Sequence, residues 1–419
     1  MINNSPAKIE KYYIPRKLED GIKKYISLPQ ILAIIGPRRS GKTTFMLHLE
    51  KSLKNCFYLN FENQKVLDLF DQDIESFAKL YVNPNRYLII DEFQYAKKGG
   101  KNLKFLFDFY PKTKIFISGS SSIDLTVKTL KYLVGRVLVF NLFPFDFEEF
   151  LFARDHKLSS LLSSLSSRTS SPLVKDCQKY FEEYLLFGGY PEVVLAKDLE
   201  TKKTLLENIY SLYFLREVRD LVSLSDDYKL KNLIKALSLQ IGNIISYKEL
   251  SSLSGFEFRT LKRYLNFLEK TFVAFFLLPY FTNKRTELSK NPKIYFFDTG
   301  LRNSLLDNFS PLDSRVDKGA LIENFVALTL KREGKELKFW RTKNKSEVDF
   351  VLEKEGQLIP HEVKTGVVTN IPVSLVGFIE KYSPSCAFVV NASFGKVKKI
   401  KKTSVNFVPY WQPDILQIS

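Results

Sequence analysis

The sequence contains few of the residues that build a covalent or metal-held framework. Among its 419 residues are only three cysteines and three histidines. Cys56, Cys177 and Cys386 lie far apart along the chain and form no CxxC pair. A disulfide framework or a zinc site is therefore not expected, and a reducing compartment suits such a chain.

The sequence also lacks an apolar run long enough to cross a membrane. Its longest run, residues 272–280, is much shorter than the roughly 20 residues that a spanning helix needs. The opening residues contain no apolar segment typical of a signal peptide. We therefore expect a soluble cytoplasmic protein with no membrane partner.

Positive charge is present in excess. The chain has 63 Lys and Arg against 46 Asp and Glu, a formal net charge of +17. Such a field favours a polyanionic partner such as DNA, RNA or an acidic membrane face. The alternative is a basic surface that only keeps the protein in solution. The length predicts two to four domains.

Short apolar runs alternate with helical segments in the first third of the chain. The runs at residues 30–35, 56–61, 87–90 and 114–117 predict buried strands, and a helical pattern covers residues 43–52. This alternation predicts an α/β domain with a parallel sheet and helices on both faces. Residues 145–236 then predict helices, interrupted at 158–172 by a serine-rich segment that we interpret as a flexible connection.

A phosphate-binding pattern follows the first predicted strand. Residues 36–43, GPRRSGKT, fit G-x-x-x-x-G-K-[ST], in which the glycines let backbone N–H groups turn toward phosphates. Lys42 would reach the outer phosphates of ATP, and the Thr43 hydroxyl would bind Mg²⁺. The predicted nucleotide-binding residues of this loop are Gly36, Pro37, Arg38, Arg39, Ser40, Gly41, Lys42, Thr43 and Thr44.

Carboxylates and hydroxyls follow the next predicted strands. Asp91 and Glu92 end the run YLIIDE, where Asp91 would hold Mg²⁺ through water and Glu92 would polarise the attacking water. Ser118 and Ser120 are both candidates to contact that water or the γ-phosphate, and the sequence does not choose between them. Arg136 would supply charge to a neighbouring subunit's nucleotide, or else form a structural salt bridge.

An ordered set of motifs extends beyond this site. GPRRSGKTT, YLIIDEFQ, ISGSSS, VGRV, FPFDFEEF and GGYPEV occur in that order. Together they resemble the AAA+ type ATPases common in archaea and bacteria. In those proteins the ATPase domain carries a winged helix and a C-terminal domain long labelled as of unknown function. The resemblance covers nearly the whole chain and implies a homo-oligomer as one possible assembly.

A second set of charged residues lies in the C-terminal part. Asp349 precedes Glu362 by 13 residues, and Lys364 follows in Glu-x-Lys spacing. Glu362 and Lys364 project to one face of a strand, which Asp349 on a paired strand can reach. The layout resembles a PD-(D/E)xK nuclease core. Two carboxylates would then hold Mg²⁺ and Lys364 would position a water, with Glu323 as an additional acid.

This second set departs from the nuclease pattern at two positions. Val348 stands where the pattern has proline, and His361 precedes Glu362 where an apolar residue is usual. One alternative is that these charges only lie on the solvent-exposed face of a structural hairpin. Another is that the domain has a nuclease-like fold but binds without cleaving.

A basic helix lies between the two sets. Residues 245–270 resemble the helix-turn-helix of a winged-helix module. Arg259, Lys262 and Arg263 fall at i, i+3 and i+4 on one face, opposite an apolar face. Such a stripe can follow DNA phosphates in a major groove. The alternative is that this stripe is only the solvent-exposed face of a module that packs between domains.

The sequence therefore predicts four domains: an ATPase domain at residues 1–144, a helical region at 145–236, a winged helix at 237–300 and a nuclease-like domain at 301–419. The leading hypothesis is an ATPase that acts on or is regulated by DNA. One alternative is a nucleotide-controlled switch whose nuclease-like domain binds DNA or a protein partner without cleavage. A third, an ATP-driven protein remodeller, has no pore-loop signature to support it.

Overall fold

The computed structural model describes residues 13–120, 132–161, 171–214, 227–332, 334, 336–392 and 397–412. Within these residues the chain forms two compact units. The first takes in the chain up to Phe145 together with Lys270–Phe272, and the second takes in Asp146–Glu269 and Val273–Ser419. No helix in the described part of the chain is long and apolar enough to span a membrane. The finer division into four domains stays a prediction.

A five-stranded parallel sheet is the centre of the first unit, which confirms the predicted α/β class. The order across the sheet is β2-β3-β4-β1-β5, and every neighbouring pair is parallel. The strands are Ile31–Ile35 (β1), Cys56–Asn60 (β2), Tyr87–Asp91 (β3), Lys114–Gly119 (β4) and Val137–Asn141 (β5).

Helices cover this sheet, and its interior strand β1 is an unbroken apolar run for that reason. All five residues of β1 are buried, as expected for a parallel strand with both faces covered. Phe45 and Met46 of the following helix pack against Leu32 and Ile34 of β1. The helices of this unit are Lys17–Lys23 (α1), Lys42–Ser52 (α2), Gln64–Gln72 (α3), Ile74–Phe77 (α4) and Gly99–Phe109 (α5), with a π-helical segment at Ala78–Val82 and a 3-10 turn at Phe93–Tyr95.

The second unit begins with the predicted helices. The described helices are Phe147–Arg154 (α6), His156–Leu161 (α7), Ser171–Phe187 (α8), Pro191–Leu195 (α9), Leu199–Asn208 (α10) and Asp227–Leu239 (α11), with a π-helical segment at Ile209–Phe214. The serine-rich segment falls mostly on residues 162–170, outside the described residues. Its described ends, 158–161 and 171–172, belong to α7 and α8.

Two further helices and a small sheet follow. The helices are Tyr247–Ser254 (α12) and Phe258–Lys270 (α13), and Gly255, at φ +75°, lets the chain turn between them. Strands Ala274–Leu277 (β6) and Lys293–Phe296 (β7) then pair in antiparallel fashion, with the short helix Lys284–Leu288 (α14) between them. An isolated bridge joins Ile244 to Lys293. Helices followed by a hairpin are the order of a winged helix, an assignment that stays a prediction.

A six-stranded mixed sheet ends the second unit, in the order β12-β13-β11-β10-β9-β8. Its strands are Leu337–Arg341 (β8), Glu347–Lys354 (β9), Gln357–Val363 (β10), Cys386–Asn391 (β11), Lys398–Ile400 (β12) and Thr403–Pro409 (β13). The helices are Thr299–Leu305 (α15), Lys318–Arg332 (α16) and Val373–Tyr382 (α17), with a 3-10 turn at Leu312–Ser314. Trp340 and Phe378 lie in the apolar core beside this sheet.

Candidate functional site

The phosphate-binding loop joins β1 to α2, as its sequence predicts. A side chain at Gly36 would collide with the carbonyl oxygen of Leu142, and Gly41 has φ +94°, so both positions require glycine. The Lys42 ammonium is buried and donates hydrogen bonds to the carbonyl oxygens of Gly36, at 3.0 Å, and Pro37, at 2.8 Å. The loop therefore surrounds the ammonium group that the sequence assigns to the phosphates.

The other loop residues differ in exposure. Ser40 is buried, Arg39 is exposed with φ +64°, and Arg38, Thr43 and Thr44 are half-buried. Thr43 lies in the first turn of α2, where backbone N–H groups and the helix dipole favour an anion.

Arg16 supports this loop, although it lies outside the motif. The guanidinium is buried, and Nη1 donates to the carbonyl oxygen of Ser40 at 3.0 Å. Nη2 donates to the carbonyl oxygen of Phe143 at 2.6 Å. Arg16 therefore joins the residues before α1 to the loop and to the segment after β5. Nothing in the local sequence distinguishes this arginine from a surface one.

Asp91 is the most constrained acid at the carboxyl end of the sheet. Tyr58 Oη donates to Asp91 Oδ2 at 2.8 Å, while Ser118 Oγ and the Glu92 backbone N–H donate to Oδ1. Burial, together with the Asp91 carboxylate, raises the pKa of Tyr58, so its hydroxyl stays a donor. Of the two candidate serines, the structure brings Ser118 to Asp91; Ser120 is buried just beyond the end of β4.

Glu92 follows Asp91 with φ +55°, a left-handed conformation that turns the chain away from the strand. Gln94 Nε2 donates to its Oε2. Burial and the neighbouring Asp91 charge raise the pKa of Glu92, and the Lys42 ammonium opposes them. Lys42 and Glu92 therefore influence each other electrostatically across the space between the loop and β3.

Arg136 lies at the amino ends of the strands of the same sheet. Its carbonyl oxygen accepts from the N–H of Ile31, the first residue of β1, whereas the phosphate-binding loop follows the last residue of β1. Arg136 Nε donates to Asp108 Oδ1 at 3.1 Å. The structural salt bridge that the sequence allowed is therefore present, and an action on a neighbouring subunit stays a prediction.

The predicted C-terminal residues meet on the six-stranded sheet. Asp349 lies on β9 and Glu362 on β10, and Asp349 Oδ2 accepts from the Val363 N–H at 2.7 Å. Glu362 Oε1 accepts from Lys364 Nζ at 2.8 Å and from Ser374 Oγ at 3.0 Å. Burial and the carboxylates of Glu323 and Glu362 raise the pKa of Asp349 well above its usual value. The three predicted acids therefore share one poorly solvated neighbourhood.

Lys293 of β7 also enters this neighbourhood, and the sequence did not indicate it. Its buried Nζ lies 3.1 Å from Glu323 Oε1 and 2.6 Å from Glu347 Oε1. Burial opposes protonation, but the carboxylates of Glu323, Asp349 and Glu347 raise the pKa of Lys293. Lys293 is distant in sequence from these acids, and the residues of its strand show no recognisable motif. The sequence therefore could not assign it to the acid cluster.

Magnesium binding by these C-terminal residues stays a prediction, and cations are among their present partners. Ammonium groups already bond to two of the acids, Lys293 to Glu323 and Lys364 to Glu362. In the described part of the chain, no group of three or more His, Cys, Asp and Glu side chains is arranged to hold a metal. Glu362 Oε2 is buried without a hydrogen-bond partner among the described residues.

The basic stripe lies on the outer face of α13. Arg259, Lys262 and Arg263 are exposed, while the residues on the opposite face are buried, as their spacing predicts. The Lys262 ammonium lies 4.7 Å from the ring centre of Phe258 and 5.2 Å from that of Tyr247. Contact of this stripe with DNA stays a prediction.

Three family models match successive parts of the chain. An AAA domain matches residues 28–151, a domain of unknown function (DUF8612) matches 178–312, and a second (DUF4143) matches 318–412. The predicted AAA-type P-loop domain is therefore confirmed, whereas the winged helix and the nuclease-like domain stay predictions.

The chain also resembles whole proteins and solved structures. The uncharacterized protein MJ1544 of Methanocaldococcus jannaschii is 30% identical over 341 residues, which cover 78% of this chain and 73% of that protein. A Haemophilus influenzae protein is 26% identical and covers 81% of this chain and 84% of its own length. The Walker-type ATPase PABY2304 of Pyrococcus abyssi has a TM-score of 0.45 at 15% identity, covering 70% of this chain and 96% of its own. The chain belongs to the family of the M. jannaschii protein MJ1544, and its first unit contains an AAA domain.

Proposed function

We propose that the chain binds and hydrolyses ATP in its AAA domain, and that its second unit binds DNA that regulates this turnover. The supporting observation is the arrangement at the carboxyl end of the parallel sheet. We assign three residues there to one site: Lys42, which the loop surrounds, Asp91, which is buried and accepts from three donors, and the half-buried Glu92.

Each residue has a role that its surroundings support. Backbone N–H groups of the loop and the first turn of α2 bind phosphates, and Lys42 exchanges its loop carbonyls for the outer phosphate oxygens. Tyr58 and Ser118 hold the Asp91 carboxylate in one orientation. Glu92 orients the attacking water and accepts its proton.

A magnesium ion fits this first site. Mg²⁺ is usually held by one or two protein oxygens together with phosphates and waters, and the Thr43 hydroxyl and the Asp91 carboxylate are such oxygens. When bound, the ion neutralises charge on the phosphates. No larger cage of carboxylates is needed.

The DNA part of the proposal rests on charge and on the second unit. The chain carries a net charge of +17, and Arg259, Lys262 and Arg263 form an exposed stripe on α13. A helix pair followed by a two-stranded sheet is the order that places such a helix against a DNA groove in winged-helix proteins. The stripe supplies phosphate contacts, which position DNA without reading its sequence.

A second candidate function is a switch whose C-terminal domain binds DNA or a protein partner without cleaving it. The Lys293 ammonium favours this candidate, because it pairs with Glu323, one of the predicted metal-binding acids, and also with Glu347. Magnesium-dependent DNA cleavage that disappears in Asp349→Ala or Lys364→Ala would exclude this second candidate.

Assembly into a homo-oligomer is a further part of the proposal. Arg136 lies at the amino ends of the strands, whereas its own phosphate-binding loop lies at their carboxyl ends. The nucleotide that its guanidinium would contact is therefore that of a neighbouring subunit. If it acts in this way, Arg136→Ala should lower ATP turnover. Adding Lys42→Ala protein to wild type should also change the turnover of the wild-type protein. A turnover that does not depend on protein concentration would count against the oligomer.

The main test compares phosphate release with and without DNA. Linear duplex, single-stranded and branched DNAs are added to the full chain, to Arg259→Glu/Arg263→Glu, and to Lys398→Glu/Lys399→Glu as a control with the same change of net charge. We expect DNA to stimulate wild type and the control, and to stimulate the α13 variant much less. Equal turnover across all DNAs would overturn the DNA part while leaving ATP hydrolysis in place.

A further inference from the structure

A large cavity lies wholly within the second unit. Its volume is about 810 Å³, within the range of roughly 300–1,000 Å³ that ligand sites occupy. Four parts of the chain line it: Ile244 before α12, the segment between β6 and β7, the end of β8, and the last turn of α17. We call it the aromatic–basic cavity, after the side chains described next.

Half-buried aromatic rings make up one part of its wall. Tyr280, Phe281 and Tyr382 line the cavity and are half-buried. The Tyr280 and Tyr382 rings lie 5.7 Å apart at 84°, and Trp340 Nε1 donates to Tyr382 Oη at 3.2 Å. The Tyr280 and Tyr382 rings are therefore supported by each other and by Trp340, which lowers the entropy cost of stacking a ligand on them.

Unpaired cations make up another part of the wall. Lys290, Lys343 and Lys381 line the cavity and are exposed, and none of them forms an ion pair with a described residue. None of the described residues that line the cavity is acidic. Lys381 Nζ lies 5.1 Å from the centre of the Tyr382 ring, so positive charge and an aromatic face occur side by side.

This combination selects one class of ligand. A purely apolar ligand would leave the lysines without a function, and a simple anion would leave the rings without one. Nucleotides combine a planar base with a phosphate, and proteins that bind single strands join aromatic stacking to a positively charged groove. A duplex suits the cavity poorly, because its bases are paired and stacked and expose no faces.

The cavity also adjoins the acid cluster. Arg341 lines its end and pairs with Glu347 at 3.3 Å, and Glu347 pairs in turn with Lys293. A strand held in the cavity therefore lies next to the nuclease-like residues.

We propose that the aromatic–basic cavity binds a single-stranded nucleic acid, with bases stacked on Tyr280, Phe281 and Tyr382 and phosphates on Lys290, Lys343 and Lys381. The inference rests on the proposed DNA function and names the form of the nucleic acid. It assigns this contact to a surface separate from the α13 stripe.

The test measures fluorescence anisotropy of a labelled 12-nucleotide oligo-dT with the full chain. Lys290→Glu/Lys343→Glu should weaken binding at least about tenfold and lower the slope of log K against log salt by roughly 1.4, because each lost single-strand phosphate contact contributes about 0.7. Lys398→Glu/Lys399→Glu, with an equal charge change on the exposed β12, should bind within about twofold of wild type.

A second variant separates stacking from charge and from misfolding. Tyr280→Leu keeps most of the apolar volume, so its thermal transition should stay near that of wild type. Loss of one stacking surface should weaken oligo-dT binding at least about fivefold, with the salt slope unchanged.

Several outcomes would overturn the inference. Equal weakening by the cavity and β12 double variants would mean that only net charge attracts the oligonucleotide. Tighter binding of the matching duplex, or displacement of the probe by dTMP at equal nucleotide concentration, would exclude a strand-specific site. Phosphate release is measured in parallel to keep the two proposals distinct. If DNA stimulates ATP turnover but the cavity variants bind oligo-dT like wild type, the cavity proposal is excluded and the proposed function stands.

Discussion

Tyr58 Oη lies 2.8 Å from Asp91 Oδ2, inside the parallel sheet and between neighbouring strands β2 and β3. Asp91 is fully buried, and its other oxygen accepts from Ser118 and from the Glu92 backbone. The hydroxyl of Tyr58 therefore satisfies a carboxylate oxygen that would otherwise be buried without a donor.

Replacing this hydroxyl should destabilise the first unit. We expect Tyr58→Phe to lower the free energy of unfolding by about 1–3 kcal/mol, the usual cost of leaving a buried polar atom without a partner. Urea unfolding of the full chain measures it. Tyr87→Phe is the matched control, since Tyr87 lies on adjacent β3 and no hydrogen bond of its hydroxyl is seen among the described residues. Equal effects of both variants would contradict the assigned role of Tyr58.

Arg16 should affect nucleotide binding although it lies outside the motif. Arg16→Met removes the donors to the carbonyl oxygens of Ser40 and Phe143, so the loop should lose its fixed shape. We expect ATP affinity to fall several-fold and stability to fall by about 1–3 kcal/mol. Titration calorimetry and thermal unfolding measure the two effects. Lys24→Met, an exposed cation in the same segment, should change neither.

Lys293 should be needed for stability more than for ATP turnover. Lys293→Met leaves the carboxylates of Glu323 and Glu347 without their shared ammonium. Breaking a buried pair in this way typically costs about 3–5 kcal/mol. If the ammonium stands in for a metal, added Mg²⁺ should raise the melting temperature of Lys293→Met but not that of wild type. An equal Mg²⁺ effect on both proteins would contradict this interpretation.

Asp298 should make stability depend on pH. Its carboxylate is buried and accepts from the N–H groups of Gly189, at 2.8 Å, and Leu301, at 2.8 Å. Burial raises the pKa of Asp298 to about 6, although those N–H groups oppose the shift. The folded chain therefore holds this proton more tightly than the unfolded chain does. The resulting stability is complete below about pH 4 and is lost as the pH rises toward 6, by up to about 3 kcal/mol.

Asp298→Asn tests this dependence, because the amide keeps the shape and does not titrate. Relative to the variant, wild type should be more stable at pH 4.5 than at pH 7 in urea unfolding. A difference between the two proteins that stays constant across this range would contradict the assignment. The contact also explains the first glycine of the GGYP motif, since a side chain at Gly188 would collide with the Asp298 carboxylate.

The phosphate-binding loop and the acids after β3 could be predicted from the sequence because each is contiguous. A short run fixes both the chemistry and the strand or helix that presents it, so local patterns were sufficient for Lys42, Asp91 and Glu92. The paired strands β9 and β10 likewise bring Asp349 to Glu362 through a short hairpin.

Residues that reach a site from distant segments could not be predicted. Arg16, Tyr58 and Lys293 belong to a preceding arm, a neighbouring strand and a separate sheet, and their positions depend on how those elements pack. The strand β5 was also missed, although its residues 137–140 are all apolar. It pairs with β1 alone at the sheet edge and is only partly buried.

The most direct test of the central claim is single-turnover ATP hydrolysis by Glu92→Gln, with ATP affinity measured on the same protein. Glu62→Gln, which neutralises an exposed glutamate nearby, is the control. If Glu92 orients and deprotonates the attacking water, Glu92→Gln should bind ATP within a few-fold of wild type and hydrolyse it roughly 100- to 10,000-fold more slowly, while Glu62→Gln hydrolyses it normally. Hydrolysis by Glu92→Gln at the wild-type rate would contradict the account.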